Sequence, residues 1–304
     1  MRYERRMKVI RTILPILVST VLVGILAGCG GTASHVGGTG GTGGTGGGGD
    51  PGTGTGGNAG PLLPADAKVG TYIALGDSIS DEGGTGPFFY DLLNQDLAAK
   101  FPGLTFVHAA QQGAITDVYS DNMPANAPLL KTQIAGLGND YPGDVIVSIT
   151  IGGNDLNAHA ISAITNTDVA LRSELDAHLQ AELGELKTAG RLGTGKVYIV
   201  LANIYDFTDG QGDFATVMCG PGVNISAEAV ATGFGNWNAV ILSNIQKVSG
   251  ALYDMHGDFM GHGYNNPAQL WYNAGDSDSC IHPNATGHDA IRKGIYKILT
   301  GETL

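Results

Sequence analysis

The chain has 304 residues, enough for one large domain or two small ones, and carries 16 Lys+Arg against 28 Asp+Glu. Its first 28 residues hold five of the basic side chains and one acidic one (Glu4), so the remainder has 11 basic and 27 acidic residues and a formal charge of −16. A surface that acidic repels phosphate backbones and argues against a nucleic-acid partner, while 42% apolar residues exclude a disordered chain.

Residues 2–11 are basic, and residues 13–27 (ILPILVSTVLVGILA) are apolar and uncharged. That is the layout of a secretory signal, with an apolar run short for a full membrane span. The run closes on Leu26-Ala27-Gly28-Cys29, which resembles a bacterial lipobox. The resemblance implies a signal peptide over 1–28, diacylglycerol on the Cys29 thiol and a membrane-tethered, extracytoplasmic protein. An uncleaved membrane anchor is the alternative, with the same location. Residues 29–68 are expected to be the lipidated cysteine and a linker, since 30–60 are almost entirely Gly and Thr and bury too little apolar surface to offset the entropy of ordering. With Cys29 lipidated, Cys219 and Cys280 remain as an even pair in an oxidising compartment, which predicts a disulfide; two buried thiols are the alternative.

From Val69 the composition changes, and 69–304 reads as one domain. Tyr72–Leu75 is a buried strand running into Gly76-Asp77-Ser78-Ile79. Pro87–Phe101 has apolar residues at helical spacing, Leu104–Ala109 reads as a strand and Pro128–Leu137 as a helix. Asp144–Ile151 (DVIVSITI) is a β-branched run expected of a strand covered on both faces, and it leads into a loop, Gly152-Gly153-Asn154-Asp155. Val169–Ala189 is an amphipathic helix, Lys196–Ala202 a strand, Ser226–Ser249 a helix, Ala251–Met255 a strand and Thr286–Leu299 the closing helix. Strands alternating with helices predict an α/β fold, a three-layer α/β/α sandwich around a parallel sheet. Functional residues then belong on loops beyond the carboxyl ends of the strands.

Those loops hold Ser78, Gln111-Gln112-Gly113 and Asn154, and Cys280-Ile281-His282-Pro283 precedes the last helix. Acyl transfer needs a hydroxyl nucleophile, a base to take its proton and donors aimed at the developing oxyanion. The four blocks in this order resemble the SGNH (GDSL) hydrolase family over the whole domain, with its flavodoxin-like sandwich. The resemblance implies a serine esterase or lipase with Ser78 as nucleophile and His282 as base. It also implies Gly113 N–H, the Asn154 amide and Ser78 N–H as oxyanion donors, an ester substrate, no cofactor or metal, and a monomer. Asp254–Gly263 (DMHGDFMGHG) also resembles the segment preceding the histidine block in secreted members.

One position departs from the pattern. The residue three before His282 is Ser279, with Asp278 and Asp276 displaced from the aspartate's place. Either Asp278 reaches the imidazole through a bulged loop, or a backbone carbonyl such as that of Ser279 accepts Nδ1–H; the carbonyl is favoured because a one-residue shift turns a side chain elsewhere. Asp77 and Asp155 read as structural carboxylates. His108, His159, His178, His256, His262 and His288 lack paired metal-ligand spacing. Trp237, Trp271 and Tyr272 fit core packing better than an acyl pocket. A carbohydrate O-deacetylase shares the same chemistry, and a non-catalytic surface binding protein on the same fold is the competing class, motivated by Ser279.

Overall fold

The computed structural model describes residues 60–215, 222, 224–274 and 280–304. The expected signal segment 1–28, Cys29, the linker up to residue 59, Cys219, Asp276, Asp278 and Ser279 lie outside the described residues.

Five parallel strands form one sheet: β1 (Val69–Gly76), β2 (Thr105–His108), β3 (Asp144–Thr150), β4 (Val197–Ala202) and β5 (Ala251–Tyr253), in the order β2-β1-β3-β4-β5. The helices between them are α1 (Phe89–Lys100), α2 (Leu130–Ala135), α3 (Gly153–Ala158), α4 (Ala160–Ile164), α5 (Val169–Lys187) and α6 (Ala227–Lys247), followed by α7 (Met255–Phe259) and α8 (Ala285–Thr300). Successive side chains of a strand point to opposite faces. Ile73, Leu75, Val147, Ile149, Ile199 and Leu201 therefore enter one core with Ile134 of α2, Leu179 and Leu183 of α5 and Ile241 of α6. Tyr72, Ala74, Ile146, Val200 and Ala202 enter the other, with Leu93 and Leu97 of α1 and Ile291 and Ile295 of α8. Both faces are covered, which is why these strands read as apolar runs rather than alternating ones. Each fully buried Leu or Ile here is worth about 1.5–3 kcal/mol.

The chain goes from β1 outward to β2, then returns to β1's other side for β3. Such a reversal opens a crevice beyond the carboxyl ends of the two strands, where open parallel sheets place their ligands. Two segments differ from the sequence expectation. The sequence places 61–68 in the linker, yet Leu62 N and Leu63 N donate to Ile298 O and Leu299 O (both 2.9 Å) and Leu63 is buried. They are the first large apolar side chains after the Gly/Thr run and dock against the end of α8. Asn154 and Asp155, expected in a loop, sit instead in the first turn of α3, which starts immediately beyond Gly152. Among the described residues no helix is long and apolar enough to cross a membrane.

α5 buries Leu175, Leu179, Leu183 and Leu186 as a helical stripe, and Glu182 lies among them, 3% exposed. Neither Glu182 carboxyl oxygen has a hydrogen-bond partner among the described residues. Burial pushes this carboxyl up to about 9; Asp155 and Asp117 add to the shift and Lys131 opposes it. The folded state thus binds a proton that the unfolded chain releases near the ordinary glutamate value of about 4.3. Stability is fully supported below that value and falls as pH rises towards 9, by at most about 1.4 kcal/mol per pH unit from this one group. Glu182→Gln is expected to flatten that decline. Urea titrations at pH 5, 7 and 9 measure it, and an unchanged slope in the variant contradicts the assignment.

Candidate active site

β1 ends abruptly. Gly76 has φ +122°, and a Cβ there would strike the Thr150 carbonyl oxygen of β3, so only glycine allows this approach. Its N–H donates to Gln133 Oε1 (2.9 Å), and its carbonyl accepts from Gln133 Nε2 (2.8 Å) and Gln111 N (3.0 Å). Asp77 N then donates to Thr150 O at 2.8 Å. Residues Ser78–Ser80 form a single 3-10 turn whose N-cap is Asp77, with Oδ1 accepting Ile79 N at 3.1 Å. Thr150 Oγ1 donates to the same oxygen (2.9 Å) and accepts from Ser80 Oγ (2.8 Å). Burial pushes the Asp77 carboxyl up to about 7, against those hydrogen bonds. Asp77 is thus a buried fastener between β1 and β3.

The half-buried Ser78 presents Oγ 2.7 Å from His282 Nε2. His282 precedes α8, whose N-cap Asn284 accepts from Thr286 N (2.9 Å) and Gly287 N (3.0 Å). The first turn of that helix carries His288, fully buried, whose Nε2 donates to Gly83 O at 2.9 Å. Burial pushes the His288 imidazole down to about 4, so it stays neutral.

Loop 111–119 is pinned from both sides. Asp81 Oδ2 accepts Gln112 N (2.8 Å), and Asn154 Nδ2 donates to Ala114 O (2.9 Å). Asp155 Oδ1 accepts Thr116 N (3.0 Å), Thr116 Oγ1 (2.7 Å) and Tyr119 OH (2.8 Å). Gly113 is therefore exposed between two anchored neighbours, on the loop that meets the Ser78 turn through Asp81 and α3 through Asn154. The Asn154 amide spends one N–H on Ala114 and keeps a second.

The structure thus brings Ser78 and His282 together directly, and ties the Gly113 loop to Asn154 and to the Ser78 turn. Asp278 lies outside the described residues, as does Cys219; Cys280 is fully buried. Most of the remaining histidines bind backbone: His108 to Ser80 O (2.6 Å), His159 to Asp155 O (2.9 Å), His256 to Ile204 O (3.0 Å) and His262 to Gln269 O (2.8 Å). His178 meets the Thr116 hydroxyl (3.1 Å). Trp237 and Tyr272 are core residues, and Trp271 stacks on His262 with ring centroids 3.5 Å apart. A cavity of about 470 Å³ lined by Leu62, Lys187, Leu192, Lys196 and Tyr198 opens at the amino end of β4, the end of the sheet opposite Ser78.

The sequence pattern of the GDSL-like lipase/acylhydrolase family matches residues 74–290. This chain belongs to that family. Lipases and acylhydrolases, the enzymes the family description names, hydrolyse esters, and the block order Ser78, Gly113, Asn154, His282 falls wholly inside the matched range. No curated protein matches the chain. Among solved structures it is similar to phospholipase A1 from Streptomyces albidoflavus, at 22% identity and TM-score 0.47 over 75% of this chain and 99% of that one. It is also similar to an extracellular lipase from Streptomyces rimosus (21%, 0.49, 76% and 100%) and an acetylxylan esterase from Geobacillus stearothermophilus (18%, 0.47, 76% and 96%).

Sequence reading missed several supports of this GDSL site: Gln133, Thr150, Asp81, Gly83 and His288. Two carried a signal. Gln133 stands beside Leu130 and Ile134 on the buried stripe of α2, and His288 begins the buried stripe of α8 continued by Ile291, Ile295 and Leu299. A polar residue on an apolar stripe must find a buried partner.

Gly83 is the tightest of these supports. Its N–H donates to Ser78 O at 2.6 Å, and a Cβ there would meet that same oxygen and the His282 ring at 2.8 Å. Gly83→Ala must therefore displace Ser78 or His282, and a misplacement near 1 Å costs about 100-fold in rate. The expected result is a drop of that order in kcat/KM for p-nitrophenyl acetate. Gly184→Ala, on the open face of α5, should leave the rate alone. Equal rates for the Gly83 variant and the parent contradict the packing argument.

Proposed function

We propose that this protein is a membrane-tethered, extracytoplasmic carboxylic ester hydrolase that works through an acyl-enzyme on Ser78. The observation that carries the reading is the 2.7 Å separation of Ser78 Oγ and His282 Nε2 in the crevice where the strand order reverses.

In this mechanism Ser78 Oγ attacks the ester carbonyl while its proton passes to His282 Nε2. The C=O bond opens to a tetrahedral oxyanion held by Ser78 N–H, Gly113 N–H and the second N–H of the Asn154 amide. Collapse expels the alcohol, which takes the proton from His282. Water then attacks the acyl-enzyme, again giving up its proton to His282, and the carboxylic acid leaves with Ser78 restored. The fixed neighbours of Gly113, Gln112 N and Ala114 O, support this role: an oxyanion donor is effective when its direction is set before the charge develops.

The tether belongs to the same reading. It is supported by the basic and apolar order of residues 2–27, by Leu26-Ala27-Gly28-Cys29 and by the Gly/Thr run that follows. A disulfide between Cys219 and Cys280 is supported by cysteine parity once Cys29 is lipidated.

Ser78→Ala removes the nucleophile, and hydrolysis of p-nitrophenyl acetate should fall by at least about a thousandfold with the melting temperature retained. An unchanged rate contradicts the assignment of Ser78.

A further inference from the structure

Four consecutive carbonyls around His282 are each bound by a different residue. Cys280 O accepts from Tyr264 OH (2.8 Å) and Ile281 O from Tyr205 OH (2.5 Å). His282 O accepts from Asn273 N (2.9 Å) and Pro283 O from Thr85 N (3.2 Å). The last donor belongs to the loop that follows the Ser78 turn. Residues Cys280–Pro283 form no helix, and their isolated bridge is Tyr272 with Pro283. Their path is therefore set by these outside donors rather than by a regular ladder.

We infer that Tyr205 and Tyr264 are positioning residues for His282: their hydroxyls fix the two peptide units that enter the histidine and so aim Nε2 at Ser78 Oγ. This rests on the reading of Ser78 and His282 as the acyl-transfer pair. The two phenols reach the loop from different places. Tyr205 lies three residues beyond the end of β4, and Tyr264 follows α7. Both rings are locked by other aromatics. Tyr205 stacks on Phe259 with centroids 5.2 Å apart and tilts against Tyr272 at 5.4 Å, while Tyr264 stacks on Tyr272 at 6.1 Å. Burial pushes both hydroxyls above the ordinary tyrosine value, so both remain protonated donors across the neutral range. A ring held in an aromatic cluster gives its hydroxyl a fixed address, and the loop carbonyl is aligned to it. The other two bonds come from backbone N–H groups and survive any side-chain change. The two phenols are thus the part of the clamp that substitution can test.

The test uses Tyr205→Phe, Tyr264→Phe and the double variant of the full chain, which keep the rings and delete only the hydroxyls. With p-nitrophenyl acetate, kcat is expected to fall about tenfold for each single variant and about a hundredfold for the double, with KM within about twofold. The same substitutions are then placed in a His282→Ala background. A residue that acts through His282 has nothing left to act on, so the residual rate there should change by less than about twofold. The proposal is overturned if the parent kcat is retained, if KM rises instead, or if the loss is the same in the His282→Ala background. Should the double variant fail to fold, the two single variants decide by the same outcomes. A His282→Ala protein with full activity would overturn the acyl-transfer reading itself, which separates that failure from failure of the clamp.

Discussion

The Ser78–His282 hydrogen bond joins residues 204 positions apart, so neither side chain owes its place to the other's neighbourhood in sequence. Such a contact holds its length only if each end is fixed by its own backbone. At the serine end, Gly76 brings β1 against β3, Thr150 O takes Asp77 N, and a capped single turn turns Ser78 outward. At the histidine end, the loop is bound carbonyl by carbonyl and then runs straight into the capped start of α8. Gly83 closes the gap between them, with its N–H on Ser78 O and its carbonyl on His288.

The same logic extends to the proposed oxyanion donors. A loop that must present one backbone N–H to a reacting atom gains nothing from flexibility, since reorganisation at the moment of reaction raises the barrier. Loop 111–119 is accordingly tied by the buried Asp155 carboxylate, by Asp81 and by the Asn154 amide. Burial pushes the Asp155 carboxyl up, and the Thr116 and Tyr119 donors on one of its oxygens oppose that shift. Hydrogen bonds to a carboxylate are stronger than neutral ones, about 1.5–3 kcal/mol each, which suits them to holding a loop. Asp77 and Asp155 are thus working parts of the frame, although neither faces the substrate crevice in the proposed mechanism.

The fold was legible because its strands obey one rule: a sheet covered on both faces demands continuous apolar runs, and Tyr72–Leu75, Asp144–Ile151 and Val197–Ala202 show them. The parallel order and the motif-bearing strand ends followed from strand–helix alternation. The helix after β3 was not legible. α3 spans only Gly153–Ala158 and buries just Asp155 and Leu156, so no apolar stripe marks it and Asn154 read as a loop residue. The supports of the site escaped for a different reason. Gln133, His288, Tyr205 and Tyr264 act across 16 to 205 residues of chain through backbone groups, and a backbone carbonyl carries no sequence signal. The proposed tether rests on sequence alone, on the basic-then-apolar order of residues 2–27 and on Leu26-Ala27-Gly28-Cys29.

The most direct measurement of the central claim is covalent. Full-length protein incubated with a fluorophosphonate probe, digested and analysed by peptide mass spectrometry should carry the label on Ser78, and His282→Ala should slow that labelling by orders of magnitude. Absence of label on Ser78, or labelling at an unchanged rate without His282, would contradict the account.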